Sequence, residues 1–321
     1  LLAENRGEWN EAITLLEKVN SEGPDSGVLL RLSYYYSQAG RYPEAVKVLE
    51  KLVATQPSNT DFLNYLAIAY EQNKQDDQAE KTLKRILEID TADHEAHFQL
   101  ATLYDRQKKF LKAEEELKSA IKIKPDYDMA LNYLGYSYAD HNIKLDESEK
   151  LLTEALRLAP QNPAYLDSIG WLYFRKGELE KAAERLTEAA RLVRDTLIFE
   201  HLADVRLAQK NEVAAVLALH EAILSDPSSK SAPKKARKIM RKMEPSKKAE
   251  VFTRLSVGRF GAIRTIGSLV GIRICKGPCF DTNARLTYIA DEALRVEIPG
   301  PLSGPVMLLV KPHGKPAQYG A

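Results

Sequence analysis

An aspartate directly followed by a histidine, Asp140-His141, is a pair whose residue types could do chemistry. A carboxylate that orients an imidazole ring is an arrangement used in general acid–base catalysis, because it stabilises the protonated ring. His94 and His97 form a second candidate, since two histidines about one helical turn apart can share a metal ion. Whether either set is a site depends on the elements that position it.

Those elements follow a period close to 34 residues. Small residues recur at that spacing: Ala12, Ala45, Ala79, Ala113, Ser148, Ala182 and Ala215. A second small residue lies twelve or thirteen positions before most of them: Ser33, Ala67, Ala101, Gly135, Gly170 and Ala203. An aromatic residue follows three positions later in most units: Tyr36, Tyr70, Tyr104, Tyr138 and Tyr173. This pattern predicts stacked helix–turn–helix units, because small residues let two helices approach closely and the ring fills the space beside that contact.

The turn between the paired helices carries glycine in three units, at Gly7, Gly40 and Gly177. Glycine is favoured there because it adopts a left-handed backbone without a steric cost. Four units depart from this rule and have a larger residue at the same position: Lys74, Lys108, Asn142 and Lys210. A proline ends the second helix in most units: Pro24, Pro57, Pro125, Pro160 and Pro227.

The pattern resembles the tetratricopeptide repeat (TPR) family. The clearest copy is "YLDSIGWLYFRKGELEKAAERLTEAARL", and the resemblance covers residues 1–228 with one half-unit and six fuller units. It implies a mainly α fold, a TPR helical solenoid in which an α-α superhelix presents a concave groove. Each unit of such an array depends on its neighbours for stability.

In the family, the first helix of each unit lines that groove and binds a protein or peptide. The resemblance assigns the partner-binding role to Arg31, Tyr34, Asn64, Tyr65, Gln72, Phe98, Gln99, Arg106, Asn132, Tyr133, Tyr136, Asp167, Trp171, Phe174, Arg175 and His201, and the same face continues to Glu200 and Asp204. Amide, aromatic and arginine side chains together suit an extended peptide. The alternative is that some of these rings only pack between neighbouring repeats.

The repeat also explains the two pairs that could do chemistry. Ser148 follows Ala113 by 35 residues rather than 34, so Asp140-His141 is predicted to lie at a turn lengthened by one residue. His97 occupies a position that packs inside its repeat. No glycine-rich phosphate loop and no nucleophile elbow is present. We therefore expect a non-enzymatic chain with no catalytic residues, no metal and no cofactor; an enzyme domain beyond Ala321 is the weaker alternative.

Residues 229–257 are strongly basic, as in "KSAPKKARKIMRKMEPSKKAE". Ala236, Ile239, Met240 and Met243 form an apolar stripe at helical spacing, which predicts a helix pair. A polar helix pair can cap the end of a repeat array. Contact with anionic lipid or nucleic acid is the alternative, since several cations on one exposed face attract such surfaces.

Residues 258–321 alternate polar and apolar residues, which predicts a short, incomplete antiparallel β segment. Strands are expected near 269–275, 280–289, 293–298 and 305–311, and Cys275 and Cys279 lie beside the first turn. A metal or redox role for these cysteines lacks a third ligand. The stretch "ARLTYIADEALRVEIPGPLSGPVMLLV" resembles the start of LolB-like outer-membrane lipoprotein domains, which implies a truncated domain of that kind and contact with lipid or lipoprotein.

The net charge and two short sequence stretches indicate the class of partner and the location of the chain. The formal net charge of +1 makes nucleic acid an improbable partner of the whole chain. The chain starts at a leucine and is expected to be cut at both ends, so any signal region would precede it. The stretch "YLGYSYAD" followed by "LDSIGW" resembles TPR proteins of Gram-negative envelopes, which implies a periplasmic or outer-membrane location. We expect a protein-binding scaffold in envelope or lipoprotein biogenesis; the alternative is a lipid carrier that the TPR array recruits.

Overall fold

A computed structural model describes residues 9–22, 25–256, 285–290, 293–297 and 306–309. The chain divides into two compact units, Leu1–Leu134 and Gly135–Ala321, and each unit is described by itself. The helices of the first unit are α1 (Trp9–Glu22), α2 (Ser26–Gln38), α3 (Tyr42–Thr55), α4 (Thr60–Gln72), α5 (Asp76–Ile89), α6 (His94–Arg106) and α7 (Phe110–Ile123). The division falls inside α8 (Asp128–Asp140).

The second unit continues with helices and three short strands. The helices are α9 (Leu145–Leu158), α10 (Pro163–Arg175), α11 (Leu179–Leu192), α12 (Thr196–Ala208), α13 (Glu212–Ser225), α14 (Ser231–Lys242) and α15 (Pro245–Ser256). The strands are β1 (Arg285–Ala290), β2 (Ala293–Glu297) and β3 (Val306–Leu309), which pair antiparallel in the order β1-β2-β3. The prediction of a mainly α, repeat-built fold is confirmed.

The periodic small residues lie at the contact between paired helices. In the first unit Ala45, Ala67, Ala79 and Ala101 are completely buried. Ala67 and Ala79 pack in one continuous apolar core with leucines of the first unit: Leu49, Leu52, Leu63, Leu66, Leu83 and Leu100. Each buried leucine contributes about 2 kcal/mol of burial free energy, so the 34-residue repeat is at the same time a repeat of core positions.

Two repeats of the second unit bring their paired helices closer still. A β-carbon added at Gly170 would lie 2.7 Å from Leu186 Cγ, and one added at Gly135 would lie 2.7 Å from Leu152 Cγ. Ser148, which replaces the periodic alanine, is fully buried and donates from Oγ to the carbonyl oxygen of Gly135 at 2.6 Å. The hydroxyl is satisfied inside the helix pair, so serine is tolerated where the other units have alanine.

The turn positions adopt the backbone that the repeat predicts. Gly40 and Gly177 have φ of 72° and 80°. The larger residues at the equivalent positions are left-handed as well: Lys74 (59°), Lys108 (60°), Asn142 (57°) and Lys210 (60°). The extra residue of the lengthened turn is absorbed by Lys144, whose φ is also positive at 46°.

These lysines offer a stability test within one repeat. Lys74→Gly is expected to raise the free energy of unfolding by about 1 kcal/mol, because glycine removes the strain of a left-handed side chain. Lys81→Gly, at an exposed position inside α5, is the matched control and is expected to lower it by about 1 kcal/mol. Urea denaturation followed by circular dichroism measures both, and the same sign for the two variants would contradict the turn assignment.

Most first helices begin at an aspartate or asparagine that caps the free backbone amides. Asp25, Asn59, Asp93, Asn162 and Asp195 each accept a hydrogen bond from an amide two or three residues on. Such a cap contributes about 1 kcal/mol. The caps recur with the repeat, so these five first helices start at equivalent positions of their repeats.

The basic segment forms α14 and α15, as the apolar stripe predicts. Ala232, Ala236 and Met240 of α14 are buried, and so are Val251 and Leu255 of α15. In the β segment, β2 and β3 fall within predicted strands and β1 overlaps a third. The strand expected near 269–275 and both cysteines lie outside the described residues, so the full sheet stays a prediction.

Candidate functional site

Asp140 and His141 lie at the turn that the lengthened repeat predicts. The Nδ1 atom of His141 is 2.8 Å from the carbonyl oxygen of Ser137, and the Asp140 carboxylate accepts a hydrogen bond from Trp171 Nε1 at 3.2 Å. Both side chains are exposed at the end of α8. Ser137 belongs to the end of α8 and Trp171 to α10, so these contacts of the pair support local structure.

His94 and His97 are used separately. His97 Nδ1 is 2.6 Å from a carboxylate oxygen of Glu116, and the His94 ring packs edge-on against Tyr127 with centroids 4.9 Å apart. In the ranges given above for the structure, no cluster of three or more histidine, cysteine or acidic side chains is arranged to hold a metal ion. These histidines are therefore packing residues of their repeat.

The first helices of the first unit expose two tyrosines. Tyr34 on α2 and Tyr65 on α4 are 50% and 49% exposed, and no other tyrosine, tryptophan or phenylalanine among the described side chains is as exposed. Ile68 on α4 is 40% exposed and lies 34 residues after Tyr34, at the equivalent repeat position. The face predicted for partner binding thus carries apolar surface that the core does not use.

Polar side chains link successive first helices on the same face. Gln99 donates from Nε2 to Asn64 Oδ1 at 2.6 Å. The remaining amide oxygens of Gln99 and Asn132 are buried, and neither has a hydrogen-bond partner in the described part of the chain. Arg31 and Gln72 are exposed. The exposed amide of Gln72 can exchange hydrogen bonds with a peptide backbone.

Other predicted residues of the first unit are held by their neighbours. Arg106 forms ion pairs with Glu71 at 2.9 Å and with Asp76 at 3.1 Å. Phe98 packs edge-on against Tyr133 with centroids 5.9 Å apart. These contacts join adjacent repeats, which agrees with the alternative that part of the set packs between units.

In the second unit the predicted residues meet around Trp171. Its ring stacks on His201 at a centroid distance of 4.2 Å and on Phe174 at 4.9 Å. The guanidinium of Arg175 lies 5.8 Å from the same ring and donates to the carbonyl oxygen of Asp140 at 3.1 Å. Trp171, Phe174 and Arg175 are half-buried, so this cluster presents part of its surface, and Tyr136 on α8 is half-buried as well.

His201 of that stack also forms a buried pair with an aspartate. His201 Nδ1 is 2.9 Å from Asp167 Oδ1, and both side chains are only 7% exposed. Asp167 and His201 are therefore hydrogen-bonded to each other inside the protein, and Asp167 holds the His201 ring against Trp171. The pair couples α10 to α12, the first helices of neighbouring repeats.

The next first-helix face is covered by α14. Lys235 of α14 forms ion pairs with Glu200 at 3.0 Å and Asp204 at 2.9 Å, and Ser231 donates to Glu200. Burial opposes the charged form of Lys235, but the two carboxylates outweigh it and raise its pKa above the usual value. Sequence reasoning placed Glu200 and Asp204 on the binding face and missed this contact. The signal that could have revealed this contact was the repeat period, since α14 begins 35 residues after α12 and so takes the place of the next first helix.

Comparison with known proteins agrees with this geometry. Two family models, each described as tetratricopeptide repeat, match residues 36–100 and residues 98–163. The chain contains tetratricopeptide repeats. The TPR repeat-containing protein PA4667 of Pseudomonas aeruginosa is 40% identical over 81 residues, which are 25% of this chain and 14% of that relative. The chain therefore matches a small part of that relative's length.

Solved structures share the TPR fold at low identity. The Cut9–Hcn1 assembly of the APC/C aligns with a TM-score of 0.61 and 19% identity, over 74% of this chain and 47% of that one. PilW, described as a widely conserved type IV pilus biogenesis factor, aligns with a TM-score of 0.57 and 19% identity, over 65% of this chain and 97% of PilW. At such identities the likeness shows the fold alone.

Proposed function

We propose that the chain is a non-enzymatic scaffold that binds a partner protein or peptide on the first-helix faces of its TPR units. The observation that carries the proposal is the exposed apolar surface of these helices. Tyr34 on α2 and Tyr65 on α4 are half exposed, and Ile68 on α4 is exposed as well. Exposed apolar surface on a face framed by polar groups is typical of an interaction site. TPR folds serve in protein–protein interaction, which supports the same conclusion.

The ligand that fits this face is an extended peptide with apolar side chains. Tyrosine supplies a large contact area and loses little conformational freedom on binding. Exposed Arg31 and Gln72 can orient the peptide through its carbonyl or carboxylate groups. In the second unit, the partly exposed stack of Trp171 and Phe174 suits the same kind of ligand.

We also propose that the chain works in the bacterial envelope. The similarity in fold to a pilus biogenesis factor supports this location. A role in lipoprotein biogenesis, or as a lipid carrier with the β segment holding acyl chains, would depend on residues 258–321. The matches to the tetratricopeptide repeat models end at residue 163, so they do not cover that segment. In the helices that the structure describes, none has the length and apolar character needed to cross a bilayer.

Peptide selection tests the first-unit face. Peptides chosen from a random displayed library against the full chain should bind Tyr65→Ala about tenfold more weakly, since one interface tyrosine contributes on the order of 1–2 kcal/mol. Leu111→Ala is the matched control, because Leu111 is 71% exposed but lies on the second helix of its unit. Fluorescence anisotropy measures both affinities.

Folding and binding remain separable in this experiment. Tyr65 is half exposed, so Tyr65→Ala should keep the circular dichroism spectrum and the melting temperature of the parent. Selected peptides that bind the Tyr34→Ala and Tyr65→Ala variants as tightly as the parent would refute the assignment of this face.

A further inference from the structure

The charge of the chain is divided unevenly. Residues 229–256 carry ten lysines and arginines and two glutamates, a net charge of +8. Because the formal net charge of the whole chain is +1, all other residues together carry −7. The cationic surface is thus concentrated on one helix pair at the end of the repeats.

Packing fixes which side of α14 faces outward. Ala232 and Ala236 are completely buried and pack in one apolar cluster with Ala203 of α12 and Leu219 of α13. Met240 is buried in a second cluster with Val251 of α15. The helix therefore cannot rotate to bury its charges without breaking both clusters.

The outward side of α14 carries five exposed cations: Lys234, Arg237, Lys238, Arg241 and Lys242. At about 100° per residue they cover an arc of roughly 140° along a helix about 18 Å long. Within the described residues, none of the five pairs with a carboxylate. On α15, by contrast, Lys247 pairs with Glu212 and Arg254 with Glu250. We define the five exposed cations as the α14 cationic face.

We propose that the α14 cationic face binds the surface of an anionic lipid bilayer. Each lysine or arginine held near such a surface is attracted to the lipid phosphates, and a straight helix side presents all five to one plane. The apolar stripe of α14 is occupied by α12, α13 and α15, so binding is electrostatic and does not insert the helix. Lys235 faces inward to Glu200 and Asp204 and takes no part.

A bilayer suits this face better than a nucleic acid does. The face has no aromatic side chain on which a base could stack and no asparagine or glutamine to read a base edge.

Vesicle flotation with the full chain tests the proposal. We expect binding to vesicles of phosphatidylcholine with roughly one third phosphatidylglycerol, and none to vesicles of phosphatidylcholine alone. Raising the salt from about 0.1 M to about 0.5 M should release the protein, because the Debye length falls to a few ångströms. Lys234→Gln, Lys238→Gln and Arg241→Gln combined should weaken partitioning on the order of 100-fold.

The matched control removes the same charge elsewhere. Lys51→Gln, Lys81→Gln and Lys150→Gln combined alter exposed lysines on α3, α5 and α9 and should bind vesicles like the parent. Equal loss in both triple variants, or equal binding to neutral vesicles, would overturn the proposal. So would retention of a short duplex DNA with no vesicle binding. Circular dichroism checks that both variants stay folded.

Discussion

Gly170→Val is expected to lower the free energy of unfolding of the second unit by about 3 kcal/mol. A single β-carbon at this position would already lie 2.7 Å from Leu186 Cγ and 3.3 Å from the Leu186 backbone nitrogen. Valine adds two further methyl groups to the same contact, so α10 and α11 must separate. Overpacking of this kind destabilises because the surrounding core is close-packed and cannot yield locally.

Tryptophan fluorescence can follow this variant in its own unit. The chain has two tryptophans, Trp9 in the first unit and Trp171 in the second, so a Trp9→Phe background leaves Trp171 as the reporter. Ala164→Val is the control: it lies exposed on the same helix and should cost about half a kcal/mol. A urea midpoint for Gly170→Val equal to that of the control would show that the close approach is absent.

Asp167→Ala is expected to cost about 2–3 kcal/mol of the same unfolding free energy. It leaves the buried imidazole of His201 without its hydrogen-bond acceptor and opens space under the Trp171 stack. Asp140→Ala removes an exposed carboxylate that bonds Trp171 at 3.2 Å, and this control should cost less than about 1 kcal/mol. Urea denaturation monitored by Trp171 compares them.

A double variant separates the bond from the space it fills. Asp167→Leu with His201→Phe removes both polar partners and keeps apolar bulk and an aromatic ring beside Trp171. Replacing both members of a buried pair is usually far less costly than removing one. Asp167→Leu and His201→Phe are also measured singly. If the double variant lost as much unfolding free energy as the two single variants together, the Asp167–His201 bond would not be the contact that couples α10 to α12.

Turn geometry was predictable residue by residue. Lys74, Lys108 and Asn142 stand where the repeat expects glycine, and each has a positive φ, because the register of two packed helices forces that backbone whatever the side chain. The same register predicted Asp140-His141 as a turn and not a dyad. The left-handed Lys144 that accommodates the extra residue was not predictable, since several turn conformations can absorb one residue.

The proposed binding face was predictable as a set of positions but not as a set of contacts. The period placed Tyr65, Asp167 and His201 on first helices. It could not show that Tyr65 stays half exposed while Asp167 and His201 bury each other. Nor could it show that Lys235 would pair with acidic residues of that face. Such choices depend on the lateral offset of stacked helices, to within about an ångström.

The sequence by itself determined the repeat, the core positions and the left-handed turns. These follow from local preference and from a period that returns each small residue to the same helix contact. Only the tertiary structure decided which polar groups of the predicted face are used internally and which cations of α14 remain outward. The physical reason is that partners far apart in sequence are selected by three-dimensional packing, and a one-dimensional period does not encode it.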